Sequence, residues 1–262
     1  MYLKLTAKSD ALMRAVDIHV LLPYHDGYEG PKPPYKTVYF LPGYSANAEE
    51  ILFSLPMRQM SALTGLAVVI PDGENSFYTD HPERLTCHGV FAGQELPAIT
   101  RKMLPCLSAR REDTCLAGIS MGGYGALMLA LRFPELTSRV ALLSPAVEPE
   151  DLFSAEAERS ELSMAPLMDS LMGGKENYAA DSMLNLRRAV EQAAAGGRGV
   201  PPLWMCCGEQ DALVGAACNR FSTFLTEKNI PHSYVQGKGE HDLLYWDEHL
   251  EEAFRFLSGG AG

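Results

Sequence analysis

The sequence predicts an α/β fold with a mostly parallel central sheet and helices on both faces. Two observations carry this reading. Short apolar, β-branched runs alternate along the chain with segments of helical spacing, the pattern of successive strand–helix–strand units. One run, Thr114–Ile119, passes through a glycine-flanked turn directly into an Ala/Leu/Met-rich helix ending near Leu131. Right-handed crossovers lay such strands parallel, and strands covered on both faces are apolar throughout. A chain of 262 residues, 47% hydrophobic and 21% charged, suits one domain over residues 1–262 with a large core.

The elements follow in order. Tyr2, Leu3 and Leu5, then Ala15–Leu22, read as two strands in an antiparallel start. Residues 26–34, DGYEGPKPP, form a turn-rich connection. Tyr35–Leu41 is a buried strand that Pro42-Gly43 ends, and Asn47–Leu63 carries helical spacing. Leu66–Ile70 is a second buried strand. A long loop follows over 74–89, with Phe77, Tyr78, His81 and His88, and loops of this length inside a domain are usually functional or mobile. Val90–Leu104 reads as a helix and Val140–Leu143 as a strand ended by Ser144-Pro145. Over 146–198 charge density rises, methionines cluster and no clear strand is visible, which predicts a helical insertion serving as a cap. Beyond a linker at 193–202, Leu203–Cys207 returns to strand and Ala212–Lys228 to helix. Pro231–Gln236 is the last strand, Tyr245–Leu257 the last helix, and the terminal SGGAG reads as frayed.

Chemistry concentrates where strands end, which in parallel sheets is the ligand-binding rim. Gly118-Ile119-Ser120-Met121-Gly122 has the G-x-S-x-G spacing between a strand and a helix. Such a turn lifts a serine hydroxyl clear of the sheet and aims the first helix N–H groups at the same space. A serine hydroxyl is a poor nucleophile until a histidine takes its proton and a carboxylate orients that histidine. Three histidines follow Ser120: His232 within the last strand, His249 within the last helix, and His241 on the loop between them. His241 is therefore the expected base. Asp211, after the strand that runs into a glycine turn, is the expected acid, with Glu209 its rival; Asp242 suits a helix start better. An oxyanion needs two backbone donors. Met121, following the serine, supplies one, and Gly43, Tyr44 or Ser45 the other, since Pro42 has no N–H.

Composition narrows the partners. A net charge of −11 argues against nucleic acid or an anionic membrane. The six cysteines form no C-x-x-C pair or zinc-spaced cluster, and three fall in expected strands. They read as reduced thiols in a cytoplasmic protein, with no metal and no cofactor. No secretory signal or membrane-length apolar run is evident.

The stretches TVYFLPGYSANAEEIL, VVIPDGENSFYTD, GISMGGYGAL, GEQD and GEHDLLYW resemble the esterase D branch of the α/β-hydrolases. That group includes S-formylglutathione hydrolases, and the similarity is closest to tributyrin esterases and feruloyl or acetyl carbohydrate esterases. The resemblance spans most of the chain. It implies a serine carboxylesterase acting on small-molecule esters through Ser120, Asp211 and His241, with Tyr44 and Met121 as oxyanion donors. A glutathione-directed thioesterase and an acyltransferase are the alternatives within enzymes, and an inactive binding module the alternative outside them. The Met-rich segment 146–198 would suit a homo-oligomer interface as well as a lid.

Overall fold

A computed structural model describes residues 1–23, 30–153, 164–181, 183–197 and 199–259. Its strands are β1 (Tyr2–Ser9), β2 (Arg14–Leu21), β3 (Thr37–Leu41), β4 (Ala67–Pro71), β5 (Asp80–His81), β6 (Thr86–Cys87), β7 (Thr114–Ile119), β8 (Arg139–Leu143), β9 (Leu203–Gly208) and β10 (His232–Gly237). Eight of them form one sheet in the order β1-β2-β4-β3-β7-β8-β9-β10, and β5 and β6 make a small separate hairpin. β1 and β2 pair antiparallel, as the sequence predicts, and β2 meets β4 antiparallel. From β4 to β10 every pairing is parallel.

The chain leaves β3 toward β4 on one side and β7 toward β8 on the other. The crevice beyond the carboxyl ends of β3 and β7 is therefore the switch point where such sheets bind ligands. The helices are α1 (Ala48–Ser54), α2 (Met57–Thr64), α3 (His88–Val90), α4 (Leu96–Met103), α5 (Met121–Arg132), α6 (Ala165–Met172), α7 (Gly174–Ala180), α8 (Leu186–Ala195), α9 (Gly215–Glu227) and α10 (Leu243–Ser258). Strand residues alternate between two cores, because successive side chains point to opposite faces. Val38, Phe40, Val68, Ile70 and Ile119 pack with Ile51, Met57, Leu250 and Phe254 of α1, α2 and α10. Tyr39, Leu41, Val69, Leu116 and Met205 pack on the other face with Leu127, Val190 and Phe221 of α5, α8 and α9.

The structure departs from the sequence reading in places that have physical causes. The helix expected over 47–63 is two helices. Pro56 lacks an N–H and drives the residue before it out of the helical region, and Leu55 is extended at φ −121°, ψ 146°. Asn47 caps α1 by accepting the Glu50 N–H at 2.8 Å. The helix expected over 90–104 starts at His88 and passes through a wider π turn, Phe91–Glu95, before α4. The strand at Ala15–Leu22 lies one residue earlier, at β2. The last helix starts at Leu243, capped by Asp242, whose carboxylate accepts the Tyr245 N–H at 3.0 Å. Residues 24–29, which include the first four of the turn-rich connection, 154–163, 182 and 198 of the expected insertion, and 260–262 of the tail lie outside the described residues.

Within 146–198, α6, α7 and α8 are helical and no strand occurs among the described residues. Buried Glu148, just beyond β8, accepts hydrogen bonds from Arg187 of α8 and Arg220 of α9, each Nε at 2.7 Å. Removing either arginine would leave a charge less well compensated in a desolvated position.

The 74–89 loop is ordered by its own hydrogen bonds. Ser76 Oγ donates to the Gly73 carbonyl at 2.6 Å and accepts the Tyr78 N–H at 3.0 Å. The buried Tyr78 hydroxyl donates to the Pro42 carbonyl at 3.0 Å, fixing the loop to the end of β3. His88, near the end of this loop, is buried. Its desolvation, reinforced by the nearby Arg14 cation, pulls its pKa down to about 4.

Two tests of stability follow. A Cβ at Gly122 would lie 1.9 Å from the Leu41 carbonyl oxygen, a backbone atom that cannot swing aside, whereas one at Gly215 would meet nothing nearer than 3.6 Å. Gly122→Ala should lower the urea unfolding free energy by roughly 2–3 kcal/mol or more, and Gly215→Ala should be neutral within about 1 kcal/mol. His88 binds its proton less well folded than unfolded, so its contribution to stability is full above the unfolded value near 6.5 and lost as pH falls toward about 4. Across that window the wild type should lose roughly 3 kcal/mol more than His88→Gln, read from urea melts at each pH.

Candidate active site

Ser120 occupies the turn between β7 and α5 at φ 53°, ψ −115°, outside the regions L-residues prefer. The strain is held by the surrounding backbone. Its N–H donates to the Leu143 carbonyl at 2.9 Å, and its carbonyl accepts the Tyr124 and Ala146 N–H groups at 3.1 and 3.0 Å. Glycines make the turn possible: a Cβ at Gly118 would lie 2.3 Å from the Gly122 carbonyl, and Gly122 itself presses on the end of β3.

The turn delivers the serine hydroxyl to His241. Its Oγ lies 3.0 Å from His241 Nε2, and His241 Nδ1 lies 2.7 Å from Asp211 Oδ2. Asp211 follows β9 and His241 follows β10, so three strand ends converge on one rim. Asp211, not Glu209, meets the histidine; the Glu209 N–H instead bonds the Gly237 carbonyl at 2.8 Å. Asp211 is buried with both carboxylate oxygens occupied. Oδ1 accepts the Leu213 and Val214 N–H groups at 3.0 and 2.9 Å, and Oδ2 also receives the Cys207 thiol at 3.5 Å. Burial alone would raise its pKa. The hydrogen bond to His241, its charge, and the two backbone donors outweigh that and hold the carboxyl below its usual value.

The other histidines lie elsewhere. His232 Nε2 pairs with Ser222 Oγ at 3.0 Å, and His249 stacks on Tyr245 at 4.2 Å.

The acid and histidine loops are joined to each other. A Cβ at Gly208 would lie 2.3 Å from the Gly239 carbonyl, so glycine is required there. The Gln210 N–H donates to the Gly239 carbonyl at 3.0 Å, and the Gln210 side-chain carbonyl accepts the Gly239 N–H at 2.8 Å. The Trp246 and His241 rings meet nearly perpendicular, their centroids 5.2 Å apart and their planes at 89°, with the indole N–H donating to Ser144 Oγ at 3.1 Å. The sequence reading gave no role to Gln210 or Trp246, although both stand in stretches it singled out.

Ser120 and His241 open onto a cleft of about 340 Å³. Its wall includes Tyr44 and Ser45 after β3, Phe77, Met164, Leu213 and Trp246. The Ser45 N–H is already given to Asn75 Oδ1 at 2.6 Å. Met121 opens α5, with its N–H at the helix start, and its thioether accepts the Phe77 N–H at 3.3 Å. Among the described residues no group of three or more His, Cys, Asp or Glu side chains could hold a metal ion, and no helix is long and apolar enough to cross a membrane.

The chain is similar to known esterases over nearly its full length. The Esterase family model matches residues 9–257. An acetyl esterase from Caldicellulosiruptor saccharolyticus is 31% identical over 231 residues, 85% of this chain and 83% of that protein. The fold is shared with S-formylglutathione hydrolase from Staphylococcus aureus, at TM-score 0.83 and 22% identity over 98% of both chains. It is also shared with a ferulic acid esterase from Anaeromyces mucronatus, at TM-score 0.67 and 18% identity over 99% of this chain and 91% of that one. A family match over most of the chain, a relative of this identity, and an α/β-hydrolase sheet agree: the chain belongs to the Esterase family and is a carboxylic ester hydrolase of the serine esterase type.

Proposed function

We propose that this esterase cleaves short-chain acyl esters through an acyl-enzyme, with Ser120 as nucleophile, His241 as general base and acid, and Asp211 as the residue that orients His241. The observation that carries the reading is the unbroken chain of hydrogen bonds from Asp211 through His241 to Ser120, at 2.7 and 3.0 Å, at the mouth of a cleft. An ionised Asp211 accepting from Nδ1 leaves Nε2 free to take the serine proton.

Ser120 Oγ attacks the ester carbonyl as His241 takes its proton. The developing oxyanion is held by the backbone N–H groups of Met121 and Tyr44. The engagement of the Ser45 N–H by Asn75 favours a donor earlier in that loop. His241 then protonates the departing alcohol, and water, deprotonated by the same histidine, releases the acid. These steps use only the named groups and water. The acetyl esterase relative supports a small acyl group, as does the cleft of about 340 Å³ with its largely apolar wall of Ile51, Phe77, Ile119, Leu213 and Val214. Ala146 and Met164 add one side of that wall from segment 146–198.

The test is hydrolysis of p-nitrophenyl esters from acetate to octanoate. Wild type should be fastest on the short esters. Ser120→Ala should lose about a millionfold in kcat, and Asp211→Asn roughly ten-thousandfold. Equal activity in wild type and Ser120→Ala would overturn the assignment.

A further inference from the structure

The charges around the cleft are one-sided. Among the described residues, its wall contains no lysine or arginine, and its single fixed charge is Glu50, in the first turn of α1. Glu50 has no ion-pair partner among those residues, while its neighbour Glu49 is neutralised by Lys4 at 2.9 Å. An adjoining cleft of about 190 Å³ shares Ser45 and Ala46 with the first and adds Asp72 and Glu74 to the same rim. Of these, Glu74 is paired with Arg14, and Asp72 accepts the Ala48 N–H at 2.9 Å. Glu50 is thus the carboxylate in the wall of the serine's own cleft that has no cation partner among the described residues. The whole chain adds a background of −11.

We infer that Glu50 makes the cleft select against anionic substrates, so that the ester's alcohol portion is uncharged. This rests on the esterase reading above and names the substrate class of that same site. A second carboxylate brought to the mouth would face Glu50 with no lysine or arginine of the described cleft wall to receive it. A glutathione thioester, with two carboxylates and one ammonium, would meet that repulsion, whereas an acylated hydroxyl of a neutral carbohydrate would not. Glu50 is exposed, and at several ångströms such a like-charge pair is worth about two- to fivefold in binding. Glu50 also occupies the third position of α1, where a carboxylate favours the helix start, so the test must separate selectivity from stability.

The experiment compares methyl 4-acetoxybenzoate with 4-acetoxybenzoate, which share the acetyl group and the phenyl framework and differ in a methyl ester against a free carboxylate, with phenol release followed and the intrinsic difference in leaving group cancelling between enzyme variants. The readout is the ratio of kcat/KM, neutral over anionic, in wild type, Glu50→Gln and Glu50→Lys, with thermal melts confirming that each variant is folded. The ratio should fall about two- to fivefold in Glu50→Gln, and again in Glu50→Lys, mostly through KM of the anion. Raising salt from about 0.01 M to about 1 M should shrink the wild-type ratio and leave the Glu50→Gln ratio nearly flat. If folded variants keep the wild-type ratio, or if wild type treats both esters alike, the charge inference falls while the esterase reading stands. If the neutral ester is not hydrolysed, or is hydrolysed equally by Ser120→Ala, the esterase reading falls and takes this inference with it.

Discussion

A steric constraint underlies the site: the end of β3 and the first turn of α5 approach so closely that no side chain fits between them at position 122. This contact, with the matching one at Gly118, forces the chain to reverse at Ser120 through a conformation that L-residues avoid. The strain persists because it is over-determined. Three backbone hydrogen bonds hold the turn, and Tyr39, Leu41, Leu116 and Leu127 pack around it in the core. The same approach sets the loop after β3 beside the serine, so the crevice at the switch point of the sheet and the Ser120 turn occupy one place.

A second close approach completes the arrangement from the other side. Gly208 and Gly239 let the loops after β9 and β10 touch, and Gln210 bonds Gly239 in both directions. Asp211 is then fixed by two N–H groups of its own loop and can turn one oxygen to His241. The histidine is further confined by the Trp246 ring. Each side chain of the constellation is thereby positioned by packed backbone rather than by its own flexible stem, which favours a preorganised site.

Much of this was legible in the sequence because it rests on local sterics. Glycines two residues on either side of a serine, between an apolar strand and a helix, are demanded by the turn itself. His241 could be singled out because the other two later histidines lie inside regular elements. What was not legible depended on long-range contact. The loop donors at 43–45 could not be ranked because a backbone N–H leaves no mark on residue type, and the capture of the Ser45 N–H comes from Asn75, 30 residues away in sequence. Continuous helical spacing across 47–63 hid the break that Pro56 imposes. Nothing in the sequence sets Glu50 apart from its neighbour Glu49, because its place in the cleft wall depends on how α1 packs.

The central claim is that Ser120 is a nucleophile activated by His241. The most direct measurement is labelling with a fluorophosphonate, followed by mass spectrometry of the tryptic peptide spanning 112–132. The account predicts a single adduct on Ser120, with labelling slowed by orders of magnitude in His241→Ala although the serine remains. A label on any other residue, or an undiminished rate without the histidine, would contradict it.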